Sequence, residues 1–270
     1  MINLPMRVYR RVRYAVEERI RHALARVNER PVFVIGNQKS GTSAVVCLLA
    51  AAAGKQPTND IFTWYPGAES DVLAGRLRLA DFVDRARHHF SRDFVKDPSL
   101  TFMLPALEAR FPQARYVFVV RDPRLNIRSI LNRVGLGGGV TALEPADKQR
   151  IAASRPGWLP VLLGEGLVSE GTLVDRLAHR CRIAMELAAA ARGRWPVIRY
   201  EDFLADKAGT IASALEAIGE RAVHDISAVA DTPFQPPSSD RSSPERFFSP
   251  ENLARIETVC RPIMNQFSYP

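Results

Sequence analysis

The sequence is poor in cysteine and has no long apolar run. Its three cysteines, Cys47, Cys181 and Cys260, are too few and too scattered for a disulfide framework or a metal site. No apolar segment approaches the roughly 20 residues that a membrane-spanning helix needs. The N-terminus lacks the apolar core of a signal peptide. We therefore expect a reduced, cytoplasmic protein without a metal cofactor.

Lysine is also scarce, because only five of the 37 basic residues are lysines. In a chain that uses arginine as its default cation, a lysine in a loop suggests a need for a compact, flexible ammonium group. Lys39 lies in a glycine-containing loop, and Lys96 ends a predicted strand. Both are candidate catalytic residues, and a solvated surface lysine is the alternative for each.

The net charge of +8 is unevenly distributed. Residues 1–30 contain eight arginines and three glutamates, a net charge of +5, and apolar residues recur there every three or four positions. This pattern predicts a basic amphipathic helix over residues 1–30. The helix would pack on the following domain or contact an anionic surface, such as the inner face of a membrane. No aromatic interleaving or nucleic-acid motif accompanies the charge, so we expect no nucleic-acid partner.

Beyond residue 30, strand-type and helix-type segments alternate, which favours a parallel sheet covered on both faces. The chain is long enough for one large α/β domain, predicted over residues 31–270. The predicted strands are Val32–Ile35, Asp93–Lys96, Tyr116–Val120 and Pro196–Arg199. The predicted helices are Ser43–Ala53, Pro123–Arg133, Thr172–Arg192, Lys207–Ile218 and Pro250–Gln266. Residues 135–171 contain a triple glycine and three prolines and are predicted to form an irregular flap.

The first predicted strand continues into the loop Gly36-Asn37-Gln38-Lys39-Ser40-Gly41-Thr42-Ser43 and then into an alanine-rich helix. A strand that turns through glycines into a helix N-terminus presents backbone N–H groups and a positive dipole end to an anion, usually a phosphate. The expected fold is a P-loop NTPase-like three-layer α/β/α arrangement with a central parallel sheet. Nucleotide triphosphatase loops end in Gly-Lys-Ser/Thr, whereas Lys39 precedes the Ser-Gly-Thr sequence here.

A second candidate anion site follows the third predicted strand. Arg121 stands at the carboxyl end of that strand and Ser129 two turns along the next helix, a placement that suits a second phosphate. An ATPase would carry a magnesium-binding aspartate directly after such a strand, and an arginine stands there instead. The alternative for Arg121 is a structural ion pair with Asp122 or Glu201.

Four segments carry a resemblance to a known family: residues 36–43, Lys96-Asp97-Pro98, residues 116–124 continuing to Ser129, and residues 197–204. They resemble, in family order, motifs of sulfotransferases that use 3′-phosphoadenosine 5′-phosphosulfate (PAPS), including the bacterial branch. The resemblance spans roughly residues 32–270. It implies transfer of a sulfuryl group from PAPS to a hydroxyl, with release of adenosine 3′,5′-bisphosphate and no metal. The implied acceptor is a glycan, a glycolipid or another small metabolite.

The resemblance also implies roles for individual residues. Lys39 would neutralise the bridging oxygen as the sulfuryl group leaves, with Lys96 as a second cation. The 5′-phosphate would be cradled by Ser40, Gly41, Thr42 and Ser43. Arg121 and Ser129 would bind the 3′-phosphate, with Arg241 as the basic residue of a late loop. Asn37-Gln38 departs from the usual Pro-Arg or Pro-Lys lead-in, and the Arg-Lys-Gly loop of cytosolic animal enzymes is not found.

The reaction needs a base that takes the proton of the acceptor hydroxyl. Asp60 follows the first helix, about where carbohydrate-modifying members of the family carry a catalytic glutamate, and it is the candidate. A turn or cap is the structural alternative for Asp60. His88 and His89, just before the second predicted strand, compete for the same role, and Asp97 is an alternative partner that orients Lys96.

Aromatic residues follow Asp60 in the sequence. Phe62, Trp64 and Tyr65 would form either a wall for the acceptor or part of the core. Trp158, in the flap, would close over the acceptor. The basic segment at residues 1–30 favours a membrane-associated glycolipid or an anionic saccharide as the acceptor.

Two other functions share these features. A P-loop kinase or nucleoside triphosphatase would use the same strand, loop and helix, and magnesium-dependent ATP binding would identify it. A non-catalytic nucleotide-binding protein would keep the donor site for sensing or scaffolding. The position of Lys39 and the absence of the magnesium-binding aspartate favour the sulfotransferase.

Overall fold

A five-stranded, all-parallel sheet forms the centre of the protein, in the order β2-β3-β1-β4-β5. The strands are β1 Val32–Ile35, β2 Pro57–Asn59, β3 Phe94–Lys96, β4 Arg115–Val120 and β5 Val197–Arg199. The structure, a computed structural model, describes residues 24–232, 234 and 240–270. In the central strand, Val32 pairs with Phe94 of β3 on one side and with Arg115 of β4 on the other. The four predicted strands are confirmed, with ends shifted by at most one residue.

Strand β2 is not among the predicted strands. It has three residues, begins with a proline and continues with Thr58 and Asn59, so no apolar run marks it in the sequence. It pairs with β3 alone, at the edge of the sheet, where a proline is tolerated. This strand places Asp60, the next residue, at the carboxyl edge of the sheet.

The five predicted helices are present, with ends shifted by at most two residues, among other shorter ones. In chain order, the α-helices of the described residues are α1 Thr42–Ala52, α2 Ala68–Leu73, α3 Leu79–Arg85, α4 Leu104–Arg110, α5 Pro123–Val134, α6 Pro145–Ser154, α7 Leu159–Leu163, α8 Leu173–Ala190, α9 Tyr200–Ala205, α10 Lys207–Ala217, α11 Pro244–Phe247 and α12 Pro250–Gln266. Short 3₁₀ segments cover Ile61–Trp64, His89–Ser91, Pro98–Met103 and Pro156–Trp158.

Apolar side chains pack on both faces of the sheet. Along β1, Phe33 and Ile35 belong to the larger core, which includes residues of α8 and α12. Val32 and Val34 belong to a second core, formed with residues of α1 and α10. Successive side chains of a strand point to opposite faces, so a fully buried strand needs a layer of helices on each side. The predicted three-layer α/β/α fold is therefore confirmed.

The flap at residues 135–171 is more regular than predicted, because it contains α6 and α7. The apolar periodicity that predicts a helix is weak here, because both helices are short and Ile151 is the one buried residue of α6. The flap is also anchored at both ends. Asn252 donates hydrogen bonds to the carbonyl oxygens of Gly138 and Val140 at 2.9 and 3.0 Å. Ser70 of α2 donates one to Glu165 at 2.7 Å.

The basic helix predicted over residues 1–30 lies almost entirely outside the described residues, which begin at Leu24. Residues 25–30 are not helical. This segment is held to the domain by a hydrogen bond from the Asn28 N–H to the Phe90 carbonyl oxygen at 2.9 Å and by an ion pair between Glu29 and Arg110 at 2.8 Å. In the described part of the chain, no helix is long and apolar enough to cross a membrane.

Candidate active site

A cleft of about 1200 Å³ lies along the carboxyl edge of the sheet. The chain leaves β1 between β3 and β4, a point at which connections run to opposite sides and a crevice opens. The cleft is lined by the loop between β1 and α1, by the segments that follow the other four strands, and by the flap. Residues after β2 and β3 therefore lie on one side of the loop, and residues after β4 and β5 lie on the other.

Gly36 and Gly41 let the loop between β1 and α1 pass between β4 and the ring of Tyr200. A Cβ on Gly36, where φ is 153°, would lie 2.2 Å from the carbonyl oxygen of Val119. A Cβ on Gly41, where φ is 97°, would lie 2.2 Å from the Tyr200 ring. Between them Lys39 has a φ of 67°, a left-handed conformation that costs a non-glycine residue about 1–3 kcal/mol. Surrounding contacts must hold the loop in this shape.

A buried amide provides several of these contacts. Asn126 of α5 donates hydrogen bonds to the Gln38 carbonyl oxygen at 2.9 Å and to Ser40 Oγ at 3.0 Å. Its Oδ1 accepts one from Asn37 at 2.9 Å and one from the Cys181 thiol at 3.0 Å. Of the four residues predicted to cradle a phosphate, Ser40 is thus buried with its hydroxyl turned to Asn126. The others, Gly41, Thr42 and Ser43, line the cleft at the N-terminus of α1.

A buried arginine supports the loop from below. Arg180 of α8 is 1% exposed, and its Nε donates a hydrogen bond to Gln38 Oε1 at 3.0 Å. Its Nη2 pairs with Glu69 at 3.4 Å, and its guanidinium lies 4.1 Å from the centroid of the Phe102 ring. Gln38 in turn donates to Ser99 Oγ at 3.3 Å. Sequence reasoning missed Arg180 and Asn126, although an arginine within the apolar stripe of α8 was a visible signal.

Lys39 lies among other cations. Burial, with the charges of Arg133, Arg121 and Lys96, lowers the pKa of Lys39 from 10.5 to about 8, whereas the Asp60 carboxylate acts in the opposite direction. Burial is the larger cause, and the three neighbouring cations add to it. Lys39 therefore lies in a partly buried, positively charged part of the cleft.

Lys96 and Asp60 form an ion pair beside this centre. Lys96 Nζ lies 2.6 Å from Asp60 Oδ1, with the lysine side chain buried and the aspartate side chain half-exposed. The Asp60 N–H also donates to the Lys96 carbonyl oxygen at 2.9 Å. The two residues meet because β2 and β3 are neighbours in the sheet. Both line the cleft, so the structure brings Lys39, Lys96 and Asp60 together.

Asp97 does not orient Lys96, contrary to one of the sequence alternatives. Its two carboxylate oxygens accept hydrogen bonds from the N–H groups of Phe62 and Ser99, each at 2.9 Å. Burial, with the nearby charges of Asp60 and Glu69, raises the pKa of Asp97 to about 7. Asp97 therefore holds the turns that follow β2 and β3.

The two histidines considered as bases do not line the cleft. His89 is buried, and its ring centroid lies 6.2 Å from that of Trp64 and 5.9 Å from that of Tyr65. Asp60 is the base candidate that lies in the cleft. Among the described residues, no group of three or more His, Cys, Asp and Glu side chains could hold a metal ion.

The part of the cleft towards β4 and β5 is rich in cations, and we call it the basic half. Its basic side chains are Arg121, Arg128, Arg133, Lys207 and Arg241. Ser129 lines the same part. Arg241 is held nearby because Arg128 donates a hydrogen bond to the Ser242 carbonyl oxygen and Asn132 donates one to the Asp240 carbonyl oxygen at 2.9 Å. Arg241 thus lines the same cleft as Arg121 and Ser129, although it lies more than 100 residues further along the chain.

Arg121 reaches from β4 to the loop. Its Nη1 donates a hydrogen bond to the Lys39 carbonyl oxygen at 2.9 Å, and its guanidinium lies 4.8 Å from the centroid of the Tyr200 ring. Burial lowers the pKa of Arg121, but an arginine stays charged at neutral pH. Its Nε is buried and has no hydrogen-bond partner among the described residues.

The carboxylates expected to compete for Arg121 have other partners. Asp122 pairs with Arg124 at 2.6 Å. Glu201 accepts a hydrogen bond from the Tyr269 hydroxyl at 2.8 Å and another from the Asp122 N–H at 3.1 Å. Arg121 therefore forms no ion pair with Asp122 or Glu201, and it lines the cleft as a charged side chain.

The part of the cleft towards β2, β3 and the flap is walled by rings and prolines, and we call it the aromatic half. Its apolar lining residues are Phe62, Trp64, Tyr65, Pro66, Pro156, Trp158, Pro160 and Val161. Phe62 is nearly buried and lies parallel to Phe82, with ring centroids 4.5 Å apart. Trp64 is 51% exposed. Phe62 therefore belongs to the core, whereas Trp64 is open to the cleft, and its role as a wall for the acceptor stays a prediction.

A model of the sulfotransferase family matches residues 61–225 of the chain. This match covers more than half of the sequence and includes segments after β3, β4 and β5 that line the cleft. The chain belongs to the sulfotransferase family. It is an enzyme of that family, and its fold and cleft are those of a P-loop-like α/β protein. The family match begins after residues 36–43, so the role of the Lys39 loop rests on its geometry.

Two solved bacterial sulfotransferases share the fold of this enzyme. STF1 from Mycobacterium tuberculosis is 17% identical, with 94% of this chain and 81% of that chain covered and a TM-score of 0.50. STF9 from Mycobacterium avium is 13% identical, with 96% of this chain and 82% of that chain covered and a TM-score of 0.54. No curated protein sequence matches the enzyme. At these identities the likeness concerns the fold alone.

Proposed function

We propose that the enzyme transfers a sulfuryl group from PAPS to a hydroxyl group and releases adenosine 3′,5′-bisphosphate. The observation that carries this proposal is that Lys39, Arg121 and Ser129 line one cleft. In this proposal the Lys39 loop binds one anionic group, and Arg121 with Ser129 binds another. Arg121 bonded to the Lys39 carbonyl oxygen at 2.9 Å makes the two sites neighbours. A nucleotide with phosphates on both its 5′ and 3′ positions would occupy both.

The residues present suit such a donor. The N-terminus of α1, with Gly41, Thr42 and Ser43, offers backbone N–H groups to a 5′-phosphate. The buried Nε atoms of Arg121 and Arg128 have no partner among the described residues, which supports a role in holding an anion. Arg241 would add a further cation to the 3′-phosphate.

Sulfuryl transfer depends mainly on positioning and on charge stabilisation, as phosphoryl transfer does. The acceptor oxygen bonds to sulfur while the bond between sulfur and the bridging oxygen breaks. Lys39 would stabilise the charge that develops on that bridging oxygen, and Lys96 would hold the sulfuryl oxygens. Asp60 would take the proton of the acceptor hydroxyl. PAPS supplies the activated sulfuryl group, and we expect no metal.

The wider setting is also a proposal. The acceptor is a glycan, a glycolipid or another small metabolite that reaches the cytoplasm, and nucleic acid is not a partner. The basic segment at residues 1–30 would contact an anionic membrane surface and precede a single domain over residues 31–270. Binding of the full chain to vesicles with and without anionic lipid would test this contact.

The alternative of a P-loop kinase or nucleoside triphosphatase is disfavoured by Arg121, which stands where a magnesium-binding aspartate would follow β4. The alternative of a non-catalytic nucleotide-binding protein is disfavoured by Lys39, Lys96 and Asp60 in one cleft.

Calorimetry with adenosine 3′,5′-bisphosphate and with adenosine 5′-monophosphate tests the proposal. We expect the bisphosphate to bind at least about tenfold more tightly, because charge-assisted hydrogen bonds to the 3′-phosphate contribute about 1.5–3 kcal/mol. Equal affinities would contradict a PAPS-dependent enzyme. Binding of ATP only in the presence of magnesium would support the kinase alternative.

A further inference from the structure

The residues just before Lys39 are held by side chains from distant segments. The Gly36 N–H donates a hydrogen bond to Thr101 Oγ1 at 2.8 Å, and Thr101 follows β3 in the chain. The side-chain amide of Asn37 donates one to the Cys181 sulfur of α8 at 3.0 Å. Asn37 is buried, so this hydrogen bond is shielded from water. The path of the chain into Lys39 is therefore fixed by tertiary contacts.

Gln38, directly before Lys39, is bound through both its side chain and its backbone. Its Oε1 accepts a hydrogen bond from Arg180 Nε at 3.0 Å, and its Nε2 donates one to Ser99 Oγ at 3.3 Å. Its carbonyl oxygen belongs to the peptide group shared with Lys39 and accepts one from Asn126 at 2.9 Å. Turning this peptide group would break a hydrogen bond that water does not replace at a buried residue. Gln38 therefore connects α8 to Lys39.

Burial of Arg180 carries a large desolvation cost that its contacts recover only in part. Arg180 is 1% exposed, and burial lowers its pKa. Its Nη2 lies 3.4 Å from Glu69, and its Nη1 is buried without a hydrogen-bond partner among the described residues. Replacing a buried ion pair with apolar side chains of similar size is often neutral or stabilising. Stability alone therefore does not explain an arginine at this position.

The shape of the guanidinium group suits a positioning role. Its N–H groups point in fixed directions within one plane, so the bonds from Nε to Gln38 and from Nη2 to Glu69 define one orientation. The ring of Phe102 lies against its face, with the centroid 4.1 Å away. Lys39 has a left-handed backbone with a φ of 67°, which persists only where the surroundings impose it. The contacts of Arg180 therefore suit it to hold Gln38 and to keep Lys39 in that conformation.

We propose that Arg180 is a positioning residue that acts through Gln38 to fix the Lys39 side chain in the cleft. Arg180 does not line the cleft, so it does not touch the donor. This inference rests on the proposed function, because it takes Lys39 as the cation on the bridging oxygen. Helix α8 thus takes part in sulfuryl transfer through a residue that lies beneath the loop.

Gln38→Leu tests this connection in the full chain, with PAPS as donor and water as acceptor. The rate of adenosine 3′,5′-bisphosphate release at saturating PAPS should fall about 30-fold, because a small displacement of Lys39 weakens its contact with the leaving oxygen. Affinity for the bisphosphate should change less than threefold. Gln38→Glu keeps an acceptor for Arg180 Nε, and its rate should lie within about fivefold of that of the unmodified enzyme.

Gln113→Leu is the matched control, because it removes an exposed glutamine that accepts a hydrogen bond from Arg30. It should leave the rate of bisphosphate release unchanged. An unchanged rate in Gln38→Leu would overturn the proposal. A loss in Gln38→Glu as large as the loss in Gln38→Leu would also overturn it, since the acceptor for Arg180 would then be irrelevant.

The charge of Lys39 provides a readout that a merely structural role would not change. The pKa of Lys39 is about 8 in its present position, and a lysine released towards solvent returns towards 10.5. The pH at which affinity for the bisphosphate falls should therefore rise by about one pH unit or more in Gln38→Leu. It should stay near 8 in Gln113→Leu. An unmoved midpoint in Gln38→Leu would contradict a role in fixing Lys39.

A second variant tests Arg180 itself. Since Arg180→Met alone would leave Glu69 without its partner, it is combined with Glu69→Met, which removes both charges. The free energy of unfolding, measured by urea denaturation, should stay the same or rise. The rate of bisphosphate release should still fall about 30-fold, and the midpoint of the pH profile should rise. An unchanged rate, or a loss of stability with an unmoved midpoint, would make Arg180 a structural residue and overturn the proposal.

The failure of this inference is distinguishable from the failure of the proposed function. Equal affinities of the unmodified enzyme for the bisphosphate and for adenosine 5′-monophosphate would remove the PAPS donor. A clear preference for the bisphosphate, together with an unmoved midpoint in Gln38→Leu, would keep the donor and remove Arg180 from the reaction.

Discussion

The basic half and the aromatic half of the cleft both border Lys39, but their charged side chains have different partners. In the basic half, arginines are fixed by backbone carbonyl groups, as Arg121 is by Lys39 and Arg128 by Ser242, so their charges are not neutralised. In the aromatic half, charged groups are paired with each other, as Lys96 is with Asp60. An arginine fixed by a carbonyl group keeps its full positive charge, whereas the charge of a paired lysine is balanced by its carboxylate. The basic half therefore carries an excess of positive charge, and the aromatic half does not.

The largest effect is expected at the boundary between the halves. Lys39→Ala should lower kcat about 10³-fold, because the cation on the leaving oxygen is lost at the transition state. Binding of adenosine 3′,5′-bisphosphate should weaken less than tenfold. Steady-state kinetics and calorimetry measure the two effects, with Lys148→Ala, an exposed lysine on α6, as the control. A parallel loss of affinity and kcat would assign Lys39 to donor binding alone.

The next largest effect is expected at Asp60, the candidate base in the aromatic half. Asp60→Asn keeps the shape of the side chain but cannot accept a proton, so kcat should fall about 10²-fold with donor affinity unchanged. Asp84→Asn, an exposed acid on α3, is the matched control. Unchanged turnover in the Asp60 variant would place the base elsewhere.

A smaller effect isolates the basic half. Arg121→Ala should reduce the preference for adenosine 3′,5′-bisphosphate over adenosine 5′-monophosphate about 30-fold, because a charge-assisted hydrogen bond is lost. Calorimetry with both nucleotides measures the preference, and Arg87→Ala, an exposed arginine outside the cleft lining, is the control. A preference that survives would show that the 3′-phosphate binds elsewhere.

The pH dependence of the affinity for adenosine 3′,5′-bisphosphate should report the charge of Lys39. Lys39 is charged below its pKa of about 8 and neutral above it, so affinity for adenosine 3′,5′-bisphosphate should fall as pH rises through 8, by less than tenfold in all, as in Lys39→Ala. Lys39→Arg should flatten this profile up to pH 9.5 or so, since arginine keeps its proton. A flat profile in the unmodified enzyme would contradict the depressed pKa.

The smallest effect concerns the polar groups of the aromatic half. Ser70→Ala removes the hydrogen bond to Glu165 and should lower the free energy of unfolding by about 1 kcal/mol, measured by urea denaturation. The affinity for adenosine 3′,5′-bisphosphate should change less than twofold, because Ser70 holds the flap and is not among the residues proposed to bind the donor. Ser227→Ala, in an exposed turn, is the control for loss of a serine hydroxyl.

Sequence reasoning identified four of the five strands, and the residues that it proposed for anion binding line one cleft, apart from Ser40. Strand β4 is a continuous apolar run, and the helix after it begins with a proline, so both were visible locally. It missed β2, which is short and polar, and it described the flap as irregular because α6 and α7 bury few residues. The unpredicted parts are those whose stability comes from contacts with distant segments.

The basic helix over residues 1–30 remains a prediction, because it lies almost entirely outside the described residues. The acceptor that this segment suggested, a glycolipid or an anionic saccharide, also remains a prediction. Charge summed over a segment says where an anionic surface could bind, whereas an acceptor is recognised by the charge of the site itself.

Local sequence dictates the strand, the loop with Lys39, and Arg121 after β4, because backbone conformation and anion binding there depend on residues close in the chain. The order of the strands in the sheet is not encoded locally. It brings Asp60 to Lys96 across 36 residues and Arg180 to Gln38 across 142 residues. It also separates the basic half from the aromatic half, since residues after β2 and β3 and residues after β4 and β5 lie on opposite sides of β1. The segments that we propose for donor binding are therefore legible in the sequence, whereas the composition of the aromatic half follows from long-range packing.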